Sequence, residues 1–218
     1  ELWSSLHGPA EVCLVSMPYA DLRRPSSALG ALKASLLRDD ISCKAVYANM
    51  LFARYWSPER YMTLLTLPQT MFFGEWTFAE VVFPDHKPAE EAYLKEAAES
   101  LSMTSRRKTD PDCKKRGERF LRAVRASVPA FLDQLVDAIL ESEPRIVACS
   151  SVFQQQLASL ALCRLIKERA PSLVTVMGGP NVFGVMGQTL VKAVPWVDFV
   201  VSGEGESVFS ALCRQLLD

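Results

Sequence analysis

Apolar and polar positions along this chain fall into two rhythms. Short, nearly unbroken apolar runs recur at VCLVSM (12–17), ISCKAVYAN (41–49), RIVACSSVF (145–153), LVTVM (173–177) and VDFVV (197–201). Runs of this length, bounded by Pro, Gly, Asn and Ser, predict buried strands. Between them lie stretches with apolar residues three and four apart. The first opens at Ser26 or Ser27, either of which can cap it, and sets Leu29, Leu32, Leu36 and Leu37 on one face. The second, PAFLDQLVDAILESEP (129–144), carries Pro129 near its first turn. The third runs over 154–172 with an apolar face of Leu157, Leu160, Leu162, Leu165 and Ile166. Shorter ones follow at 185–196 and 207–218. Strands and helices in strict alternation predict an α/β fold: a doubly wound, five-stranded parallel sheet with right-handed crossovers.

The alternation lapses between the second and third strands. Residues 51–128 hold an aromatic-rich part with Trp56, Phe72, Phe73, Trp76 and Phe78, then an acidic helical pattern over 87–101. A basic run from Arg106 to Arg125 closes it. This stretch is expected to be a mostly helical insertion within one domain spanning 1–218, its aromatics forming its own core. The basic run reads as a solvated helix face, or as a dock for an acidic peptide or another domain.

Composition narrows the functional classes. With 49% hydrophobic residues the chain can build a core, and a net charge of −1 gives no general case for nucleic acid. The basic run lacks the interleaved aromatics of a single-strand binder. No apolar run is long enough to span a membrane, and the start has no basic-then-apolar signal pattern. The six cysteines show no CxxC or cluster spacing, so buried free thiols in a reducing cytoplasm are expected. His7 and His86 are the only histidines and make no metal site.

In an open parallel sheet, ligands bind beyond the carboxyl ends of the strands. Those exits hold hydroxyls, amides, glycine backbone and two carboxylates, but no placed nucleophile. Known nucleotide patterns fail. Gly203 and Gly205 are followed by Val208 where a third glycine belongs, and Gly179–Gly184 is followed by Val185 and Met186 instead of Lys and Ser/Thr. The first and third strand ends carry no acid, which argues against a phospho-receiver. Gly178 and Gly179 serve either a tight turn or the close approach of a large ligand. Glu204 and Glu206 either favour the dipole of the last helix or touch ligand.

The segment SSVFQQQLASLALCRLIKERAPSLVTVMGGPNVFGVMGQTLVKAVPWVDFVVSGEGESVF resembles the cobalamin-binding domain at the N-terminus of radical-SAM enzymes. With LVSMPYADLRRPSSALGALKASL and YANMLFARYW…GEWTFA upstream, the whole chain is similar to the branch that C-methylates ribosomally made peptides. The resemblance implies a flavodoxin-like or Rossmann-like cobalamin fold with the nucleotide tail in a slot between strand ends and helices. It implies contacts from Pro18, Tyr19, Leu22, Arg23 and Ser26 after the first strand, and from Ser150, Ser151, Val152, Phe153 and Gln154 after the third. It also implies Gly178, Gly179, Pro180 and Asn181 after the fourth, and Gly203, Glu204, Gly205 and Glu206 after the fifth. The DxHxxG loop that puts histidine on cobalt in mutases is MPYADLRRPSS here, so cobalamin is expected base-off with no protein imidazole on the metal. In the full-length parent a catalytic radical-SAM domain beyond Asp218 is expected, with a 4Fe-4S cluster, S-adenosylmethionine and a peptide substrate. The alternative is a stand-alone corrinoid-binding or interaction module with no catalytic role.

Overall fold

The computed structural model describes residues 8–86, 89–104 and 112–218. Strands β1 (Val12–Ser16), β2 (Cys43–Tyr47), β3 (Ile146–Ser150), β4 (Val174–Gly178) and β5 (Phe199–Val201) form one parallel sheet in the order β2-β1-β3-β4-β5. This is the expected doubly wound, flavodoxin-like α/β sheet. The chain steps outward from β1 to β2, then returns past β1 to lay down β3, β4 and β5. The switch in strand order therefore falls between β1 and β3, where such sheets open a crevice.

Two strands are shorter than their apolar runs. After Tyr47 the chain turns straight into α2 (Ala48–Trp56). After Ser150 the ladder ends because the Val152 amide donates to the Gln155 side chain at 3.1 Å instead of to a strand.

Alternation along the strands splits the core in two. Val12, Leu14, Ile146, Ala148 and Val176 face α1 (Ser27–Arg38) and α10 (Phe209–Leu217). Ser26 caps α1, its hydroxyl accepting from the Leu29 amide at 3.2 Å. Leu29 and Leu36 are buried, but Leu37 is 53% exposed, against the expectation from spacing, because it turns about 100° off that face. Cys13, Val15, Met17, Val147, Cys149 and Met177 point the other way, into the larger core. That core is completed by α2, α4 (Phe73–Val82), α7 (Val128–Leu140), α8 (Gln156–Arg169) and α9 (Val185–Ala193).

The helices between β2 and β3 include α3 (Pro58–Leu64), α5 (Glu90–Thr104) and α6 (Cys113–Ala126). Their aromatics do not form a separate core. Phe52, Tyr61, Phe73 and Phe78 surround Tyr19 from the β1 exit, and Phe52 meets Phe131 of α7 with ring centroids 4.8 Å apart. Trp56 is half-buried, and Phe72 is 52% exposed, its ring centroid 5.6 Å from that of Phe153.

The described part of the basic run lies on α6, where Lys114, Arg122 and Arg125 are matched by acids. Lys114 meets Glu99 at 2.7 Å, and Arg122 meets Glu91 at 2.9 Å and Glu90 at 3.4 Å. Arg125, buried, pairs with Glu80 and Glu90 and lies 4.5 Å over the Trp76 ring. Arg106, Arg107 and Lys108 fall outside the described residues.

All six cysteines are free. Cys13, Cys149, Cys163 and Cys213 are buried as expected, whereas Cys43 and Cys113 are half-exposed. No helix among the described residues is long and apolar enough to cross a membrane.

Candidate functional site

A cleft of about 520 Å³ opens on the α1 and α10 face of the sheet, at the carboxyl ends of β3, β4 and β5. Strand register builds it in two rows. In the lower row Leu14, Ala148 and Val176 sit side by side on β1, β3 and β4. Two residues further on, Ser150, Gly178 and Val201 form the upper row. The smallest side chains, Ala148 and Gly178, stand in the middle of their rows, and this sinks the floor. Leu29 and Leu32 of α1 and Phe209 of α10 make the walls, with Phe183 and Met186 at one side. Polar side chains gather at the mouth: Ser150, Glu204 and Glu206.

Half of the residues expected to touch ligand line this cleft. Ser150, Val152, Gly178, Gly179, Pro180, Gly203, Glu204, Gly205 and Glu206 are there. Pro18, Tyr19, Leu22, Arg23, Ser26, Ser151, Phe153, Gln154 and Asn181 are not. Tyr19 is 5% exposed, its ring stacked 5.4 Å from that of Tyr61, and burial pushes its phenol up. Leu22 packs on the larger core. Arg23 is exposed and bound to Asp21, whose carboxyl it holds at about 2. Ser26 is occupied with capping α1.

The two adjacent glycines have different reasons to be glycine. Gly179 has φ +98°, and a Cβ there would stand 2.5 Å from the Ser151 carbonyl oxygen. Loop geometry alone accounts for glycine at this position, the tight-turn reading of the pair. Gly178 is extended, and a Cβ would meet nothing closer than the Val201 carbonyl oxygen at 3.7 Å. A longer side chain at 178 would instead project into the cleft it lines.

The β3 exit loop is tied down on every side. Ser151 is fully buried, its hydroxyl donating to Gln156 at 3.1 Å and accepting from the Asn181 amide at 2.9 Å. Gln155 is buried and donates to the Met17 carbonyl, which joins the β3 exit to the end of β1. Gln154, with φ +65°, accepts the Gly74 amide at 2.8 Å, so its side-chain oxygen is already engaged. Gly74 is itself forced by this contact: a Cβ would lie 2.4 Å from the Gln154 carbonyl oxygen. Glu75 accepts the amides of Gln156 at 3.2 Å and Leu157 at 2.7 Å, capping α8 from a neighbouring helix. Burial nevertheless pushes the Glu75 carboxyl above its ordinary value. These ties from α4 explain Gly74 and Glu75 of the GEWTFA stretch, which the sequence marked without a role.

Residues of the cleft that sequence reasoning passed over are the apolar ones. Leu14, Ala148 and Val176 carry a signal in the period-two alternation, which puts them on one face. The wall residues Phe183, Met186 and Phe209 carry none. Glu204 and Glu206 make no side-chain cap on α10, and both are exposed at the cleft mouth. Among the described residues no three His, Cys, Asp or Glu side chains converge as metal ligands. His86 is exposed beyond the end of α4.

Comparison with known proteins bears on this cleft. Residues 108–213 match the B12 binding domain family. Over 76 residues, 35% of the chain, there is 36% identity to an anaerobic magnesium-protoporphyrin IX monomethyl ester cyclase of Rubrivivax gelatinosus. Over 94 residues, 41% of the chain, there is 35% identity to a 2-(S-pantetheinyl)-carbapenam-3-carboxylate methyltransferase of Streptantibioticus cattleyicolor. Over 99 residues, 44% of the chain, there is 33% identity to the cobalamin-dependent radical SAM methyltransferase TokK of Streptomyces tokunonensis. The matched part amounts to 14%, 13% and 14% of these relatives, so the chain accounts for about one-seventh of their length. No solved structure matches the chain.

Proposed function

We propose that the chain binds a cobalamin, with the nucleotide tail of the ligand in the cleft and the corrin over the strand exits. The single observation that carries this reading is the cleft's construction, mostly from residues that match a B12 binding domain. It is deep and apolar at the sheet, glycine-lined at the strand ends and polar only at its mouth. Its volume lies within the range of small-molecule sites. A corrin is edged with amide side chains, and Ser150, Glu204 and Glu206 offer neutral and acceptor groups to amide N–H donors. Two exposed carboxylates and no lysine or arginine in the cleft suit such a ligand better than a nucleoside triphosphate. The neighbouring Val152 and Phe153 expose apolar surface at the same end of the sheet, as a corrin face requires.

The chain's own residues bind and orient; they offer no nucleophile or acid–base pair in the cleft. Bound cobalamin would supply a methyl group, and the protein would fix where it is presented. By similarity to its methyltransferase relatives, the chain is read as the cobalamin-binding part of a radical-SAM enzyme. The other parts of that polypeptide would hold the 4Fe-4S cluster and S-adenosylmethionine, and we place a ribosomally made peptide as substrate. The ligand is read as base-off, without a protein imidazole on cobalt.

Absorbance titration of the purified chain with hydroxocobalamin and with cobinamide, which lacks the nucleotide tail, tests the reading. Tight binding of cobalamin and much weaker binding of cobinamide are expected. Absence of any spectral change with cobalamin, in protein shown to be folded, would refute it.

A further inference from the structure

We infer that the lower row of the cleft selects among cobamides by the base on their nucleotide tail, accepting a benzimidazole and disfavouring adenine. This rests on the reading that the tail enters the cleft. Cobamides share the corrin and differ in that base. A dimethylbenzimidazole buries methyl groups and a carbon ring; an adenine buries an exocyclic amine and further ring nitrogens.

The depth of the cleft gives such groups no partner. Its floor there is Leu14, Ala148 and Val176, and its walls are Leu29, Leu32 and Phe209. Cys149 borders the cleft, but its thiol turns to the opposite core and packs beside Cys163. The strand amides are engaged in the parallel ladders. The buried hydroxyls of the flanking helices are also engaged: Ser35 donates to the Glu206 carbonyl at 3.2 Å, and Ser210 donates to Asp39. The polar side chains that remain, Ser150, Glu204 and Glu206, stand at the mouth, which the ribose and corrin edge would occupy. A polar base edge would thus exchange water for hydrocarbon, and a buried donor or acceptor without a partner weakens binding about 10- to 100-fold. Discrimination of this kind works by leaving the wrong ligand's polar atoms unpaired and needs no clash.

The test is a pair of titrations of the 218-residue chain, with cobalamin and with its adeninyl counterpart, read by absorbance. The expected result is a dissociation constant about 10- to 100-fold higher for the adeninyl cobamide. Equal affinities would overturn the inference while leaving cobalamin binding itself intact. Failure to bind either cobamide would overturn the proposed function, and the inference with it. Val176→Thr sets a hydroxyl in the floor while keeping a β-branched strand residue, and should narrow the gap by about threefold or more. Ala148→Ser repeats the test on the adjacent strand should the first variant fold poorly. A preference unchanged in a folded variant would show that the lower row does not set it.

Discussion

The Tyr61 hydroxyl holds the backbone of Ala20 from both sides, donating to its carbonyl oxygen at 3.0 Å and accepting from its amide at 2.9 Å. Tyr61 belongs to α3, in the stretch between β2 and β3, and Ala20 lies in the loop that leaves β1. From the same stretch, Gly74 and Glu75 hold the loop that leaves β3. The two loops flanking the switch between β1 and β3 are therefore both fixed by helices that lie outside the repeating strand–helix pattern. Removing one hydroxyl tests how much this matters. Tyr61→Phe leaves the two backbone groups of Ala20 without that partner and should lower stability by about 1–3 kcal/mol in urea unfolding. It should also weaken corrinoid binding, since the β1 exit would no longer be held in one position.

Gly178 and Gly179 make opposite predictions although they are adjacent. Gly179→Ala places a Cβ against the Ser151 carbonyl at a φ of +98° and should cost about 1–3 kcal/mol of stability. Gly178→Leu sits in extended strand backbone with ordinary contacts and should leave the unfolding free energy from urea titration within about 1 kcal/mol of the parent. The leucine would fill the cleft, so cobalamin affinity should fall at least about tenfold. A Gly178→Leu protein that binds as the parent does would remove the cleft from the site.

How much of this was legible in the sequence depends on which physical signal was available. The strands and their parallel order follow from apolar runs alternating with helical ones. The glycine exits could be named as a candidate site because so few side chains stand at those strand ends. The packing of the β1 exit was not legible, because nothing local says where a side chain points. Tyr19 reads as a loop residue facing a ligand, yet it is drawn into the core by rings from α2, α3 and α4 that are distant in sequence. Arg23 reads as a reaching cation, yet it folds back on Asp21. The stretch 51–128 was legible as helical but not as structural support for the site, because that role rests on tertiary bonds from Tyr61, Gly74 and Glu75.

Glu75 should leave a pH signature of defined sign. Its folded value is raised by burial above the ordinary 4.5, despite the two amides it accepts. The folded state then holds the proton more tightly than the unfolded chain. Its contribution is fully present below about 4.5 and is lost as pH rises through the higher folded value. Glu75→Gln cannot titrate, so its stability relative to the parent should improve with rising pH across that window and level off above it. Urea midpoints of both proteins at pH 4 to 8 give the comparison. A difference that runs the other way would mean the two amide bonds outweigh burial.

Asp39 should behave in the opposite sense. It accepts from Ser210 and lies near Arg214 and Arg38, and these hold its carboxyl below the ordinary 3.8. That stabilisation is present above about 3.8 and is lost as pH falls through the lower folded value. Asp39→Asn should therefore differ from the parent at neutral pH and converge with it in acid, as followed by thermal unfolding. Because this pair ties α1 to α10, the two walls of the cleft, cobalamin retention should weaken in parallel.

The state of the cobalt in bound cobalamin turns on histidine. An imidazole ligand must bring a nitrogen within about 2 Å of the metal, by analogy with other nitrogen-bound metals. The β1 exit, Met17 to Ser26, contains no histidine. His7 lies outside the described residues. His86 follows α4, and the course of α4 is fixed at both ends. Its start is bonded to Gln154 at the strand exits, and the carbonyls of Val81 and Val82 near its end accept from Arg164 of α8. Arg164 is about 12 Å along α8 from that helix's first residue, so the end of α4, which His86 follows, lies well away from the strand exits. Reaching the corrin would require α4 to give up the bonds from Gly74 and Glu75. We therefore predict cob(II)alamin bound with its own base displaced and no protein imidazole on cobalt. Electron paramagnetic resonance reads this directly, since an axial nitrogen splits the high-field cobalt lines into triplets. Singlet lines are expected in the parent and in His86→Ala alike. Triplets that vanish in His86→Ala would mean that α4 detaches on binding, and would turn the clamp on the β3 exit into a moving part.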